Sequence, residues 1–187
     1  MKFITTSSAG LAMVSRRGFV LSLAAAAPAV LLKTAGAQGD VWREYRPADL
    51  PFRIAMPGEP QVETEQNEYK DEDWIRNVDA NVPYEKAIFG TSWQESRTNK
   101  SLDRLSSLFR EGMQRTGMAV TREMSLTVAG FPAREFVSES QPLGYIHRLI
   151  VIGKDQLHVS VTGEKSIHGS PSVRRFFDSL QLLRTAP

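Results

Sequence analysis

Apolar and polar side chains alternate through most of this chain, and short turns separate the alternating segments. The segments span residues 41–45, 52–56, 74–80, 84–93, 118–128, 131–139, 145–152 and 157–162. Alternation with a period of two predicts β-strands with one buried face. A polar segment around Glu63 and Glu65 predicts one more strand. Because short turns join neighbouring strands in antiparallel order, the pattern predicts an antiparallel sheet.

Two other segments have helical spacing. The first follows Ser101, a residue type that caps helix N-termini, and ends near Gly117. Its apolar stripe consists of Leu102, Leu105, Leu108, Phe109 and Met113. The second follows Ser170, with Pro171 at its first position. Together with the strands, these helices predict an α+β fold, an antiparallel β-sheet flanked by helices.

Three short segments resemble the PsbP-like superfamily, and the order of elements between them also fits. They are Phe52-Arg53-Ile54-Ala55-Met56-Pro57-Gly58, Gly130-Phe131-Pro132-Ala133-Arg134-Glu135-Phe136 and Arg174-Arg175-Phe176-Phe177-Asp178-Ser179-Leu180. The superfamily includes a photosystem II extrinsic subunit, a nuclear Ran-binding protein and many exported bacterial proteins of unknown function. The resemblance covers most of residues 41–183. It implies an α/β/α sandwich and a non-enzymatic accessory or binding role, and it assigns no functional residue.

The N-terminal segment is typical of a twin-arginine export signal. Its motif is Ser15, Arg16, Arg17 and Phe19, and an apolar run extends from residue 19 to residue 32. That run is shorter than the stretch of about 20 apolar residues that spans a bilayer. Ala35 and Ala37 stand at the spacing that signal peptidase accepts. The alternative interpretation of this segment is a membrane anchor or a buried helix.

Cleavage after Ala37 would leave residues 38–187 as a single domain in the periplasm. The predicted partners during export are the twin-arginine translocase and signal peptidase, and no stable membrane anchor is expected afterwards. Met13 is an alternative start to Met1. The sequence leaves that choice open.

Composition excludes several classes of protein. The chain has no cysteine, which excludes disulfides, cysteine-ligated iron–sulfur clusters and a lipid-modified N-terminal cysteine. Residues 1–37 contain four of the 23 basic residues and none of the 21 acidic ones. The exported part therefore has 19 basic and 21 acidic residues, so its net charge is about −2 and predicts no nucleic-acid partner.

The three histidines, His147, His158 and His168, are the first candidates for a metal site or a catalytic base. If Lys154-Asp155 is the hairpin turn, His147 and His158 share a sheet face about 13 Å apart. One metal cannot bind both at that separation, because Zn–N bonds are about 2.0–2.1 Å. The sequence therefore predicts no metal site and no cofactor.

Two further segments lack the residue pattern of the ligand-binding loops that they partly resemble. The acidic side chains of residues 63–73 lack the calcium-loop pattern, and Glu63 and Glu65 are expected to face solvent. Gly163-Glu164-Lys165-Ser166 lacks the preceding glycine of a phosphate-binding loop, and no helix is expected to open there. The basic side chains of the helices are dispersed among acids, which is typical of a solvated surface.

Three functional hypotheses remain. The favoured one is an exported accessory or binding protein that acts on an unknown envelope protein or small ligand without catalysis. The alternative is a small exported hydrolase in which an unmarked serine or aspartate acts with His147 or His158. The third is a subunit of a larger redox complex.

Overall fold

A computed structural model describes residues 41–69 and 71–183 of the 187-residue chain. Strands make up 54% of it. They are β1 (Arg43–Tyr45), β2 (Phe52–Met56), β3 (Gln61–Gln66), β4 (Trp74–Tyr84), β5 (Ala87–Ser96), β6 (Ala119–Val128), β7 (Phe131–Ser140), β8 (Leu143–Ile152), β9 (Asp155–Glu164) and β10 (Gln181–Leu182). The helices are α1 (Leu102–Arg115), α2 (Pro171–Asp178) and a 3₁₀ helix at Lys165–Gly169.

The strands form two antiparallel sheets. The larger has seven strands in the order β3-β4-β5-β9-β8-β7-β6, and the smaller has three in the order β1-β2-β10. Most neighbours in the larger sheet are also neighbours along the chain, as short turns require. The predicted antiparallel sheet is therefore confirmed.

Both helices begin at the predicted caps. The Ser101 hydroxyl accepts a hydrogen bond from the Arg104 amide at 3.2 Å, and α1 ends just before Gly117. The Ser170 hydroxyl accepts from the Val173 amide at 3.2 Å, with Pro171 as the first residue of α2. Each cap satisfies an amide that the helix itself leaves without a partner.

The two faces of the seven-stranded sheet are covered differently. The small sheet and α2 pack on one face, where the rings of Phe52 and Trp93 stack at 6.2 Å and Phe176 meets Phe89 edge-on at 5.2 Å. On the opposite face, α1 packs on β6, β7 and β8. There the Phe109 ring lies 4.7 Å from that of Phe136.

The predicted α/β/α sandwich is wrong, both as an α+β fold with helical layers and as the fold implied by the PsbP-like resemblance. The described chain is β-rich, with a seven-stranded antiparallel sheet and only two α-helices. The physical reason lies in β2. Its buried residues Phe52, Ile54 and Met56 join the main core, so a second sheet covers much of the face that a helical layer would need.

The predicted export signal lies outside the described residues. This applies to the motif Ser15, Arg16, Arg17 and Phe19 and to the cleavage residues Ala35 and Ala37. Within residues 41–69 and 71–183, no helix combines the length and the apolar character needed to cross a membrane. Export, the periplasmic location and the domain boundary at residue 37 stay predictions.

Candidate functional site

Two histidines meet beneath α1. The Nδ1 atom of His147 on β8 lies 2.9 Å from the Nε2 atom of His158 on β9. The His147 side chain is buried, with 4% exposure, and His158 is half-buried. The expected separation of about 13 Å is therefore wrong.

The turn of the β8–β9 hairpin explains the error. Ile152 pairs with Asp155, so the two-residue turn is Gly153-Lys154 and not Lys154-Asp155. Gly153 has a φ of 66°, the left-handed value that favours glycine at the first central position of such a turn. This register places Leu149 opposite His158, and therefore brings His158 two positions closer to His147.

Aromatic rings enclose the histidine pair. Phe109 of α1 contacts both imidazoles edge-on, at 4.9 Å from His147 and 5.9 Å from His158. Tyr145 stacks on His147 at 6.0 Å. The Nε2 atom of His147 is buried and has no hydrogen-bond partner within the described residues.

Burial keeps both imidazoles neutral at pH 7. It lowers the pKa of His158 from 6.5 to about 4. It lowers the pKa of His147 well below 6.5, and the adjacent His158 adds to the effect. In a neutral pair one ring donates the N–H and the other accepts it. Among the described residues, no group of three or more histidine, aspartate or glutamate side chains is arranged to hold a metal ion.

A row of polar side chains continues from His158 across the sheet. The register β9-β5-β4-β3 places them on the α1 side of the sheet. Phe109 of α1 contacts His158, and the other strands of this row lie further from β6, β7 and β8, on which α1 packs. We call this surface the polar half-face. Its residues are Glu63, Glu65, Asn77, Asp79, Asn81, Ser92, His158 and Ser160.

Hydrogen bonds connect the centre of the polar half-face. The Asn77 amide nitrogen donates to Asp79 Oδ2 at 2.6 Å, and the Ser92 hydroxyl donates to Asn77 Oδ1 at 3.1 Å. Burial raises the pKa of Asp79, and the negative charge of Glu63, directly opposite on β3, adds to the rise, whereas the neutral side chains of Ser92 and Asn77 beside it lower the pKa in part. Within the described residues neither Asp79 nor Glu63 forms an ion pair with a basic side chain. Asp79 is therefore a carboxylate with limited solvation, held in place by neutral donors.

The serine opposite His158 is not hydrogen-bonded to it. Ser92 and His158 are direct partners across β5 and β9, but the Ser92 hydroxyl bonds to Asn77. Ser160 is likewise the strand partner of His147. Serine hydroxyls therefore lie beside both histidines of the hydrolase hypothesis. The Ser92 hydroxyl, however, donates its proton to Asn77 and not to His158.

The other sequence candidates do not converge. His168 lies in the 3₁₀ helix, on the opposite side of the sheet from the histidine pair. Glu63 and Glu65 are exposed, as expected, whereas Asp73 forms an ion pair with Lys100 at 2.6 Å. A short 3₁₀ helix does open at Lys165, contrary to the prediction, and Lys165 forms an ion pair with Glu139.

Sequence reasoning missed Asn77, Asp79 and Ser92. The sequence did contain a signal for them. Polar residues occupy alternate positions in the long strands β4 and β5, and the opposite face of these strands is buried. Their partners in the sheet were not available from the sequence.

Comparisons with known proteins add no assignment. No family model matches the chain, and no curated protein matches it. One similar solved structure is that of a protein of unknown function from Pseudomonas aeruginosa. The two are 12% identical over 67% of this chain and 84% of the other, with a TM-score of 0.41. The resemblance to the PsbP-like superfamily stays a prediction.

Proposed function

We propose that this chain is an exported periplasmic binding protein that engages a basic partner of the cell envelope through the polar half-face, without catalysis. The observation that carries the proposal is Asp79. Its carboxylate is partly desolvated, faces Glu63 across the strand pair, and has no basic partner within the described residues.

Such a carboxylate lowers stability, since burial and a like charge both disfavour its ionised form. Perturbed groups of this kind are concentrated at functional sites. A lysine or arginine of a partner would restore the missing opposite charge. Asn77 donates to the carboxylate and Ser92 donates to Asn77, so the carboxylate is held in position before the partner arrives, which reduces the ordering cost of binding.

The charge of the surface supports a basic partner. Glu63, Glu65 and Asp79 lie on adjacent strands of the polar half-face, and the exported part of the chain has a net charge of about −2. Charge complementarity of this kind accelerates encounter and selects against acidic partners.

Single-cysteine crosslinking tests the proposal, since the chain has no cysteine of its own. The full chain carrying Asn81→Cys on the polar half-face is labelled with a photoreactive maleimide and irradiated in envelope extract. Thr127→Cys on the edge strand β6 is the matched control, because it is also an exposed strand position on the same side of the sheet. We expect an adduct from residue 81 and none from residue 127.

Charge dependence makes the test specific. Asp79→Asn in the Asn81→Cys chain should abolish the adduct, and rising salt should weaken it. Identical adducts from both positions, or an adduct that Asp79→Asn leaves unchanged, would contradict the proposal that the polar half-face binds the partner. Ester or peptide turnover that His158→Gln abolishes in a folded chain would instead favour the hydrolase.

A further inference from the structure

A pocket lies on the face of the seven-stranded sheet opposite the polar half-face, between β6 and the 3₁₀ helix. It is a depression of about 400 Å³ that is open to solvent. We call it the bulge pocket. Its residues are Thr121, Arg122, Val137, Ile146, His168 and Gly169.

A β-bulge shapes one wall of the pocket. The register of β6 against β7 shifts between Val120 and Arg122, so Thr121 is the extra residue. Its hydroxyl donates to the Val137 carbonyl at 3.2 Å, which fixes the bulged backbone. Bulges of this kind redirect side chains, and here Arg122 lines the pocket opposite Val137.

Arg122 has spare hydrogen-bonding capacity. Its side chain is 58% exposed, and the carboxylate nearest to it, Glu135 Oε1, is 3.7 Å away. The other oxygen of Glu135 accepts from Arg148 Nη2 at 2.8 Å, and Lys165 pairs with Glu139. Within the described residues, the Arg122 guanidinium therefore donates no hydrogen bond shorter than 3.5 Å.

His168 forms the opposite wall. Its ring packs directly over Gly144 of β8, where any Cβ would collide with Cε1 and Nε2. The Nε2 atom is buried and has no hydrogen-bond partner in residues 41–69 and 71–183. An unpartnered buried nitrogen of this kind costs stability unless a ligand or an ordered water satisfies it.

We infer that the bulge pocket binds a small organic carboxylate with a short apolar group. A guanidinium pairs with a carboxylate through two parallel hydrogen bonds. Arg122 and Arg148 share the single carboxylate of Glu135, so these three side chains have a net charge of +1, which matches one further negative charge. Val137 and Ile146, direct partners on β7 and β8, form an apolar floor for the rest of the ligand. The pocket and the polar half-face lie on opposite faces of the sheet, so this inference is independent of the proposed function.

Benzoate titration tests the inference on the ¹⁵N-labelled full chain. We expect saturable amide shifts confined to the bulge pocket, with benzamide, the neutral analogue, binding at least about tenfold more weakly. Arg122→Gln should weaken the binding of benzoate to a similar degree. Arg104→Gln removes another exposed arginine, on α1 at the opposite face, and should leave the affinity unchanged.

Gly144→Ala is a second variant, since the added methyl displaces the His168 ring while Arg122 stays in place. A folded Gly144→Ala chain should also lose benzoate binding. Shifts that do not saturate, equal binding of benzamide, or unchanged binding by Arg122→Gln would overturn the inference. Tighter binding of inorganic phosphate than of benzoate would contradict the inference that the ligand is a carboxylate.

Discussion

The Nδ1 atom of His147 and the Nε2 atom of His158 lie 2.9 Å apart, where two neighbouring strands and the ring of Phe109 enclose them. The pair is polar but neutral, because burial lowers both pKa values. One proton shared between two imidazoles satisfies one nitrogen of each ring. Protonation of either histidine would place an uncompensated positive charge under α1.

Acidification should therefore destabilise the fold. The folded-state pKa values lie below 6.5, so between pH 6.5 and about 4 the unfolded chain binds protons that the folded chain does not. The stability that the neutral histidine pair contributes is fully present above pH 6.5. The free energy of unfolding falls by about 1–3 kcal/mol as the pH drops to 4.5. Urea denaturation at pH 7.5 and pH 4.5 measures the loss. The double variant His147→Gln/His158→Gln should show a smaller decrease, and equal decreases in the two chains would contradict the assignment.

Asp79→Asn should stabilise the protein at pH 7. The pKa of Asp79 is raised in the folded state, so the stability that it contributes is lost as the pH rises through that value. Asparagine removes the charge and retains an oxygen to accept from Asn77, for a gain of about 1 kcal/mol. Thermal unfolding at pH 7 measures the effect, which should shrink at pH 3. Glu65→Gln, on the exposed strand β3, should change stability by less than about 0.5 kcal/mol. A lower melting temperature for Asp79→Asn at pH 7 would refute this.

Phe176→Ala should cost about 3–5 kcal/mol. The ring is fully buried and meets Phe89 edge-on, so its removal leaves a cavity between α2 and the sheet. Ile88→Ala, at a position that is 44% exposed, should cost less than about 1 kcal/mol. Equilibrium urea unfolding of both variants provides the comparison. A cost below about 1 kcal/mol for Phe176→Ala would mean that α2 is peripheral to the core.

Changing Arg16 and Arg17 together to lysine should leave the precursor in the cytoplasm, because the predicted export route depends on the arginine pair. Intact-mass measurement of the exported wild-type protein should find Gln38 at the N-terminus. A retained N-terminus would contradict cleavage after Ala37. Export of the lysine variant at the wild-type level would contradict the twin-arginine route.

Local chemistry was readable in the sequence. Ser101 and Ser170 cap their helices as expected, since a cap depends on amides only two or three residues away. The alternation in β2 and β8 likewise predicted strands, because the period of two is a property of the extended backbone.

Relationships between distant segments were decided by the tertiary structure alone. The choice of Gly153 as the first turn residue moved His158 two positions along the ladder, and packing of Phe109 from α1 then buried the pair. The second sheet and the perturbed carboxylate of Asp79 have the same origin. The desolvation of a side chain and the charges opposite it depend on which strands pair. Packing of the whole core determines that pairing, so it is not readable from one segment.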